Sequence, residues 1–253
     1  MEIVIGLLII AIGAFCQSSS YVPINKIKQW SWESYWLVQG VFAWLVFPIL
    51  GAMLAVPEGS SLLELYLSHP KESLLTALFG VLWGVGGLTF GLSMRYLGVA
   101  LGQSIALGTC AGLGTILTPL LLGRPGDLTA SVVIGVVVTL LGIAVIGVAG
   151  HMKSQSLSEE EKRAAVKDFN FTKGIAVALL AGFMSACFNI GLGFGEVLNF
   201  GDATADIYKT LPATFMVTLG GFMTNAVYCL YQNAHNKTFS DYGKTSLWAN
   251  NLL

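Results

Sequence analysis

Residues 73–94 read SLLTALFGVLWGVGGLTFGLSM, a stretch of 22 residues without a charged side chain. A helix needs about 20 apolar residues to cross the roughly 30 Å hydrocarbon core of a bilayer. A strand of a membrane barrel would instead alternate apolar and polar residues over about 10 positions. This stretch is mostly apolar along its whole length, so it predicts a transmembrane helix.

The same property recurs along the rest of the chain. Six further stretches of 22 to 28 residues lack Asp, Glu, Lys and Arg: residues 3–25, 34–57, 96–123, 128–150, 174–195 and 210–234. Overall, 55% of the residues are hydrophobic and 11% are charged, whereas soluble domains have about 25% charged residues. The mean hydropathy is +0.72. These features predict an all-α, polytopic transmembrane helix bundle with about seven helices.

The first stretch does not resemble a secretory signal. It is preceded by Glu2 and by no Lys or Arg, whereas a signal peptide begins with positive charge. The four cysteines lie inside predicted helices without CxxC spacing, and the three histidines are scattered over connecting segments and helix ends. We therefore expect no disulfide and no metal site.

The distribution of Lys and Arg predicts the orientation, because these residues accumulate on the cytoplasmic side. One side would hold ten of them: Lys26, Lys28, Arg95, Lys153, Lys162, Arg163, Lys167, Lys173, Lys237 and Lys244. The other side would hold three: Lys71, Arg124 and Lys209. The bias predicts an N-terminus on the side away from the cytoplasm, which in a bacterium is the periplasmic side.

A weak internal repeat suggests the domain organisation. GLLIIAIGAFCQSSS from Gly6 and GIAVALLAGFMSACFN from Gly174 share a pattern of glycine, apolar run, glycine and then small or polar residues. Five helices followed by their copy would form an inverted five-plus-five repeat, as in many transporters. We expect a first repeat at 1–150, a cytoplasmic polar linker at 151–172, and at 173–253 the start of a second repeat. That last part would hold two complete helices and the beginning of a third, as in a truncated chain.

Neutral polar side chains within the predicted helices are candidates for contact with a substrate. Amides offer both donors and acceptors, and an aromatic face suits the apolar face of a sugar. The candidates are Gln17, Tyr21, Trp83, Gln103, Asn189 and Asn225. Hydrogen bonding between helices is the alternative role for each of them. As a set they favour a neutral, polyhydroxylated solute over an ion.

Energy coupling would need either a nucleotide-binding loop or a titratable group. The chain has no GxxxxGK[ST] loop, so we expect transport to be driven by the proton gradient, with no cofactor. Glu33 and Glu196 are the proton-coupling candidates, and Asp206 is less well placed. Each lies near the end of a predicted helix, where simple exposure at the membrane interface is the alternative.

Two segments carry a resemblance to a known family. Residues 21–48, YVPINKIKQWSWESYWLVQGVFAWLVFP, and residues 78–121, which contain GLSMRYLG, resemble the bacterial L-rhamnose/proton symporter family of the drug/metabolite transporter superfamily. The resemblance implies ten spans in full-length members and proton-driven uptake of a deoxy sugar, most simply L-rhamnose, across the inner (cytoplasmic) membrane of a bacterium. The positions that match family motifs are Tyr21, Trp30, Trp32, Glu33, Trp83, Arg95 and Tyr96.

Two other classes of function remain as alternatives. One alternative is that the chain is a passive channel or carrier for another small neutral metabolite, and the other is that it is an inactive truncated fragment of a symporter. An enzyme is not expected, because no paired carboxylates and no HExxH motif occur. The expected partners are a small neutral sugar, protons and the lipid bilayer, and no nucleic acid.

Overall fold

The charge-free stretch at 73–94 lies within a single long helix in the computed structural model, which describes residues 2–19, 30–156 and 168–244. This helix, Pro70–Leu97, has 28 residues and is about 42 Å long at 1.5 Å per residue. Pro70 is tolerated because the first N–H groups of a helix have no helical partner. The helix ends at Gly98, whose φ of +81° is a conformation that favours glycine.

Each predicted stretch contains a long helix. In chain order the helices are α1 (Glu2–Ser19), α2 (Trp32–Met53), the short α3 (Leu62–Ser68), α4 (Pro70–Leu97), α5 (Val99–Leu121), α6 (Ala130–Ser156), α7 (Phe171–Phe194) and α8 (Leu211–Asn236). No strand occurs in the described residues. Six helices, α2 and α4 to α8, are long and apolar enough to cross a membrane, and α1 has a shorter apolar part, Val4–Cys16. The predicted all-α, multi-pass membrane bundle is confirmed.

Helix α2 changes its winding in the middle. It is an α-helix over Trp32–Gly40, a π-helix over Val41–Val46 and an α-helix again over Phe47–Met53. Pro48 has no N–H and its ring collides with the carbonyl four residues earlier in regular α-geometry. The N–H of Phe47 bonds Phe42 O, five residues back. The wider turn accommodates the proline without breaking the helix.

The predicted polar linker at 151–172 is helical at both ends. Helix α6 continues to Ser156, and α7 begins at Phe171. Residues 157–167 lie outside the described part of the chain. The inverted repeat and its boundaries stay a prediction.

The chain divides into two compact units. The first unit contains Met1–Gln39 and Tyr228–Leu253, and the second unit contains Gly40–Val227. In the second unit, α4 packs against both α7 and α8. In the first unit, the described side chains of α1 from Val4 to Phe15 are largely exposed and apolar, as suits a helix in contact with lipid.

Glycines allow the helices of the second unit to approach closely. A Cβ atom at Gly80 would lie 2.1 Å from Val217 O of α8, and one at Gly220 would lie 2.0 Å from Ala77 O of α4. At Gly86 it would meet the backbone of α7 at 2.8 Å. Such close contacts replace the hydrophobic driving force, which is absent between helices in lipid.

The connecting segments of the second unit contact one another as expected if successive helices cross the membrane in alternating directions. Tyr66 donates to Pro212 O at 3.1 Å, and Thr204 donates to Ala55 O at 2.5 Å, so the α2–α4 connection meets the α7–α8 connection. At the other end, the N–H of Asn170 donates to Tyr96 O at 3.1 Å. Each connection therefore meets another that alternation would place on the same side of the membrane.

Candidate functional site

The residues predicted to bind substrate are distributed unequally over the structure. Tyr21 and the side chain of Gln17 lie outside the described residues. Trp83 and Asn225 belong to the tightly packed α4–α8 contact of the second unit. Gln103 on α5 and Asn189 on α7 are exposed. The structure thus brings together two of the six candidates and does not join Gln103 or Asn189 to that pair by any described hydrogen bond or ring contact.

Trp83 is the centre of an aromatic cluster in the second unit. Its ring centroid is 5.0 Å from that of Phe188 on α7 and 6.0 Å from that of Trp44 on α2. A Cβ atom at Gly221 would lie 2.5 Å from the Trp83 ring, so glycine is what admits the indole there. Trp83 is only half-buried, so part of its side chain is not covered by neighbouring residues.

Asn225 is used for packing between helices. It is 4% exposed, and its Nδ2 donates to Gly221 O at 2.8 Å and to Gly84 O at 3.4 Å. The second bond ties α8 to α4 beside Trp83. Because its amide nitrogen is engaged with backbone carbonyls, Asn225 supports the wall of the cluster.

Gln103 and Asn189 have the opposite character. Both side chains are exposed within helices long and apolar enough to span a membrane. Asn189 Nδ2 would lie 2.6 Å from a Cβ atom at Gly114, so it lies where α7 passes α5. Exposed amides are costly in hydrocarbon unless water or a ligand satisfies them. Among the predicted residues whose side chains the structure describes, these two have exposed amide groups.

A second polar cluster lies in the first unit, around Glu33 at the start of α2. Glu33 is 7% exposed. Its Oε1 accepts hydrogen bonds from Asn236 Nδ2 at 2.9 Å and from Thr238 Oγ1 at 3.0 Å. Both donors are neutral. The first turn of a helix adds unpaired N–H dipoles that favour a carboxylate, so Glu33 is a buried acid stabilised without a described cationic partner bonded to it.

A second buried carboxylate, Asp241, lies in the 3₁₀-helix Phe239–Gly243 that follows α8. It is 4% exposed. Its Oδ2 accepts from the N–H of Ser31 at 2.9 Å, from Ser31 Oγ at 2.8 Å and from Ser34 Oγ at 3.1 Å. Its Oδ1 accepts from Lys244 Nζ at 2.6 Å.

The environment of Asp241 keeps it ionised. Burial by itself would raise the pKa of Asp241, because desolvation penalises the charged form. The hydrogen bonds from Lys244, Ser31 and Ser34 outweigh burial and hold that pKa well below its usual range. Asp241 is therefore a fixed negative charge that joins the end of the described chain to the start of α2.

Asn233 connects the two carboxylates. It is completely buried, and its Oδ1 accepts from Ser34 Oγ at 2.8 Å and from Thr238 Oγ1 at 2.9 Å. Its Nδ2 donates to Cys229 O at 2.9 Å and to Tyr242 Oη at 3.0 Å. We name Glu33, Thr238, Asn233, Ser34 and Asp241 the carboxylate network.

The other predicted coupling group, Glu196, has a different environment. It is about half exposed and accepts a hydrogen bond from Arg124 Nη2 at 2.6 Å. The hydrogen bond and charge of Glu196 raise the pKa of Arg124. Asp206 is exposed and pairs with Lys209 at 2.8 Å. Both acids are therefore paired with a cation.

Sequence reasoning identified Glu33 but missed the rest of the carboxylate network. A signal was present: Asn233 and Asn236 are three residues apart on α8 and so share a helix face, while Ser31 directly precedes α2 and Ser34 lies in its first turn. These residues lie near the ends of predicted spans, where polar side chains are ordinary. Only the fold shows that the two ends meet, because Ser31 and Asp241 are 210 positions apart.

Comparisons with known proteins agree on one family. Residues 1–252 match the family model described as L-rhamnose-proton symport protein (RhaT). The chain is similar to the L-rhamnose-proton symporter of Cronobacter sakazakii, with 33% identity over 94% of this chain and 69% of the relative. It is also similar to those of Mannheimia succiniciproducens, with 32% identity over 90% and 67%, and Yersinia pestis, with 31% over 94% and 70%. No solved structure matches it.

Proposed function

The chain belongs to the L-rhamnose-proton symport protein family, and we propose that it carries L-rhamnose together with a proton across the bacterial inner membrane. The family is one of transporters, so the chain is a multi-pass membrane protein and not an enzyme. The observation that carries the coupling is the buried carboxylate of Glu33 within a membrane-spanning helix, hydrogen-bonded by neutral side chains. The proton gradient supplies the energy, and no cofactor is needed.

The polar groups of the second unit support a neutral cargo. Trp83 offers a half-buried aromatic face next to Phe188 and Trp44. Such a face packs against the C–H side of a sugar, while exposed amides bond hydroxyls in either direction. Gln103 and Asn189 provide those amides. A deoxy sugar with a methyl group and several hydroxyls has both kinds of surface.

Glu33 is the better proton carrier of the two predicted acids. A carrier must be stable with and without its proton, so its charged form cannot be held by a permanent cation. Glu196 is bonded to Arg124, which is charged at all physiological pH values. Glu33 receives its described hydrogen bonds from an amide and a hydroxyl, which tolerate either state. We assign coupling to Glu33.

We propose that the N-terminus lies in the periplasm. Ten Lys and Arg residues on one side against three on the other favour this orientation. In a variant without native cysteines, a cysteine at the exposed Glu58 should react with an impermeant thiol reagent added outside intact cells. A cysteine at the exposed Ser156 should react only after the cells are opened. The reverse pattern would contradict the orientation.

Uptake by the purified chain in proteoliposomes tests the function. With an imposed pH gradient, labelled L-rhamnose should accumulate above its external concentration, and a protonophore should abolish this accumulation. A passive channel or carrier would only equilibrate the sugar and would ignore the protonophore. Competition by other neutral sugars, such as fucose, lyxose and mannose, would then measure the specificity for L-rhamnose.

The variant Glu33→Gln tests the coupling group. It should lose gradient-driven accumulation but retain exchange of labelled for unlabelled L-rhamnose, because exchange needs no net proton movement. Glu196→Gln is the matched control, since it removes one carboxylate from an exposed ion pair, and it should still accumulate the sugar. Accumulation by Glu33→Gln would exclude Glu33 as the coupling group.

A further inference from the structure

Two hydroxyl groups in the carboxylate network each face more acceptors than they can serve. Thr238 Oγ1 has Glu33 Oε1 at 3.0 Å and Asn233 Oδ1 at 2.9 Å. Ser34 Oγ has Asn233 Oδ1 at 2.8 Å and Asp241 Oδ2 at 3.1 Å. Each hydroxyl has one proton to donate. The network therefore has alternative arrangements, and the charge of Glu33 selects between them.

The two arrangements follow from the strength of charge-assisted hydrogen bonds. When Glu33 is ionised, its oxygen is the stronger acceptor and Thr238 donates to it. Ser34 then donates a hydrogen bond to Asn233 Oδ1, which no longer receives one from Thr238. When Glu33 takes up a proton, its attraction for the Thr238 hydroxyl falls, and Thr238 turns to Asn233. Ser34 is then released to donate to Asp241, and no covalent bond changes except the O–H formed on Glu33.

The side chain of Asn233 is held in the orientation that this switch requires. Its Nδ2 donates to Cys229 O and to Tyr242 Oη. A rotation that exchanged oxygen and nitrogen would lose the first bond and set Asn233 Oδ1 against the Cys229 carbonyl oxygen, since a carbonyl only accepts, whereas the Tyr242 hydroxyl can donate as well as accept. The oxygen is thereby kept between the two hydroxyls. Complete burial of Asn233 and Ser34 removes water as a competing partner.

We propose that Thr238 and Asn233 are positioning residues for the proton taken up at Glu33, and that Asn233 links this proton through Ser34 to the fixed charge of Asp241. This inference rests on the proposed coupling role of Glu33. It adds that the hydrogen bonds made by the segment after α8 change when Glu33 on α2 takes up a proton. Protonation of Glu33 weakens the bonds to Asn236 and Thr238, while Asp241 keeps its own bonds to Ser31 and Lys244.

The titration of Glu33 must be distinguished from that of the other ionisable groups around the network. Those on α8 are Cys229 and His235, and those on the segment after it are Asp241, Tyr242 and Lys244. His235 Nδ1 lies 3.1 Å from Asn236 Oδ1, the residue that also bonds Glu33. Because His235 carries an ionisable imidazole next to a donor of Glu33, His235→Gln is a necessary control.

Infrared titration of the purified chain measures the protonation directly. The carboxylic acid band that is lost in Glu33→Gln reports the pH midpoint of Glu33 whether or not the sample transports sugar. Thr238→Val removes one charge-assisted donor, so the midpoint should rise by about one pH unit. Thr238→Ser keeps the hydroxyl and should restore the wild-type midpoint. His235→Gln should leave the midpoint unchanged.

The link to Asp241 predicts an effect from a residue that does not bond Glu33. Ser34→Ala deprives Asn233 of one donor, so Thr238 is drawn towards Asn233 and the midpoint should rise by a smaller amount. In a Thr238→Val background this effect should disappear, because the connecting hydroxyl is gone. Additive shifts of Ser34→Ala and Thr238→Val would disprove the link through Asn233.

The outcomes also separate this inference from the proposed function. An unmoved midpoint in Thr238→Val, with accumulation still abolished by Glu33→Gln, would overturn the positioning roles and leave symport intact. If the Thr238→Val and Ser34→Ala variants show the predicted midpoint shifts but the wild-type chain never accumulates L-rhamnose, the proposed function is overturned and the inference about the hydroxyl groups is supported. A midpoint that moves with His235→Gln would assign the pH response to the imidazole and contradict the inference.

Discussion

Helix α8 is held in two chemically different ways along its length. In the second unit, its backbone meets α4 at Gly220 and Gly80, and the contacts are neutral. In the first unit, its last turns hold Asn233 and Asn236, which bond side chains from the start of α2. The first contact depends on shape and the second on charge. A change of pH should therefore act on the second region and leave the first unaffected.

The comparison shows how a membrane protein can combine rigidity with a response to protons. Lipid gives helices no hydrophobic reason to associate, so the α4–α8 contact relies on backbone approach that only glycine permits. A buried carboxylate needs donors to offset its desolvation, and those donors change partners when the charge is lost. The steric contact therefore has one arrangement, whereas the carboxylate network has at least two.

The largest expected effect comes from filling the α4–α8 contact. Gly80→Ala would place a Cβ atom 2.1 Å from Val217 O, and a backbone atom cannot rotate away as a side chain would. The helices must separate, at a cost of about 3 kcal/mol or more. Thermal unfolding and monodispersity in detergent would measure the loss at several pH values.

Gly87→Ala is the matched control on the same helix. A Cβ atom at Gly87 would meet nothing within 4 Å, so stability should be unchanged or slightly improved, since alanine favours a helix over glycine by about 1 kcal/mol. Equal losses in both variants would show that the contact does not depend on glycine at Gly80. A loss that varied with pH would contradict the neutral character of this region.

The next effect comes from removing the fixed charge of the network. Asp241→Asn loses the ion pair with Lys244 and weakens the bonds from Ser31 and Ser34. A destabilisation of about 2 kcal/mol is expected near neutral pH, because buried donors lose a charged acceptor. Unfolding followed by tryptophan fluorescence would measure it.

The pH dependence of this effect has a definite sign. The pKa of Asp241 is lower in the folded chain than its ordinary value, so the unfolded chain binds the proton more readily. Stability from Asp241 is complete above about pH 3.9, the ordinary value for aspartate, and declines as the pH falls below it. Asp241→Asn should lack this part of the acid slope. An identical slope in both proteins would show that Asp241 is not held in its charged form by the network.

The smallest effect is expected at Trp83, where the tightly packed region would also hold cargo. Trp83→Ala removes the face beside Phe188 and Trp44, and L-rhamnose binding should weaken about tenfold, which corresponds to about 1.4 kcal/mol. Trp83→Phe keeps an aromatic face and should bind within about threefold of wild type. Calorimetry in detergent would compare them, and unchanged binding by Trp83→Ala would place the sugar elsewhere.

The candidate site was only partly predictable because the same residue type has different uses in different packing. Asn225 and Asn189 are both single amides in apolar helices, and the sequence treats them alike. The structure engages Asn225 with Gly221 and Gly84 and leaves Asn189 exposed beside Gly114. Which side of a helix meets a neighbour depends on the crossing of other helices, and no local pattern contains that information.

The helices themselves were predictable because a span is a local property. A run of residues without charge is long enough to cross a bilayer or it is not. Six of the seven runs contain a helix long and apolar enough to span a membrane in the described structure, and the first contains α1, whose apolar part is shorter. The π-helical turn of α2 also has a local origin in Pro48.

The sequence by itself determined that this chain crosses the membrane several times, resembles one transporter family and carries an acid, Glu33, at the start of a span. Only the tertiary structure decided that Glu33 and Asp241 share a network with Asn233 between them, and that Gly80 touches a neighbouring helix while Gly87 does not. The reason is physical: insertion into lipid depends on the composition of one segment. Hydrogen bonds and backbone contacts depend on which distant segments the folded chain brings within about 3 Å.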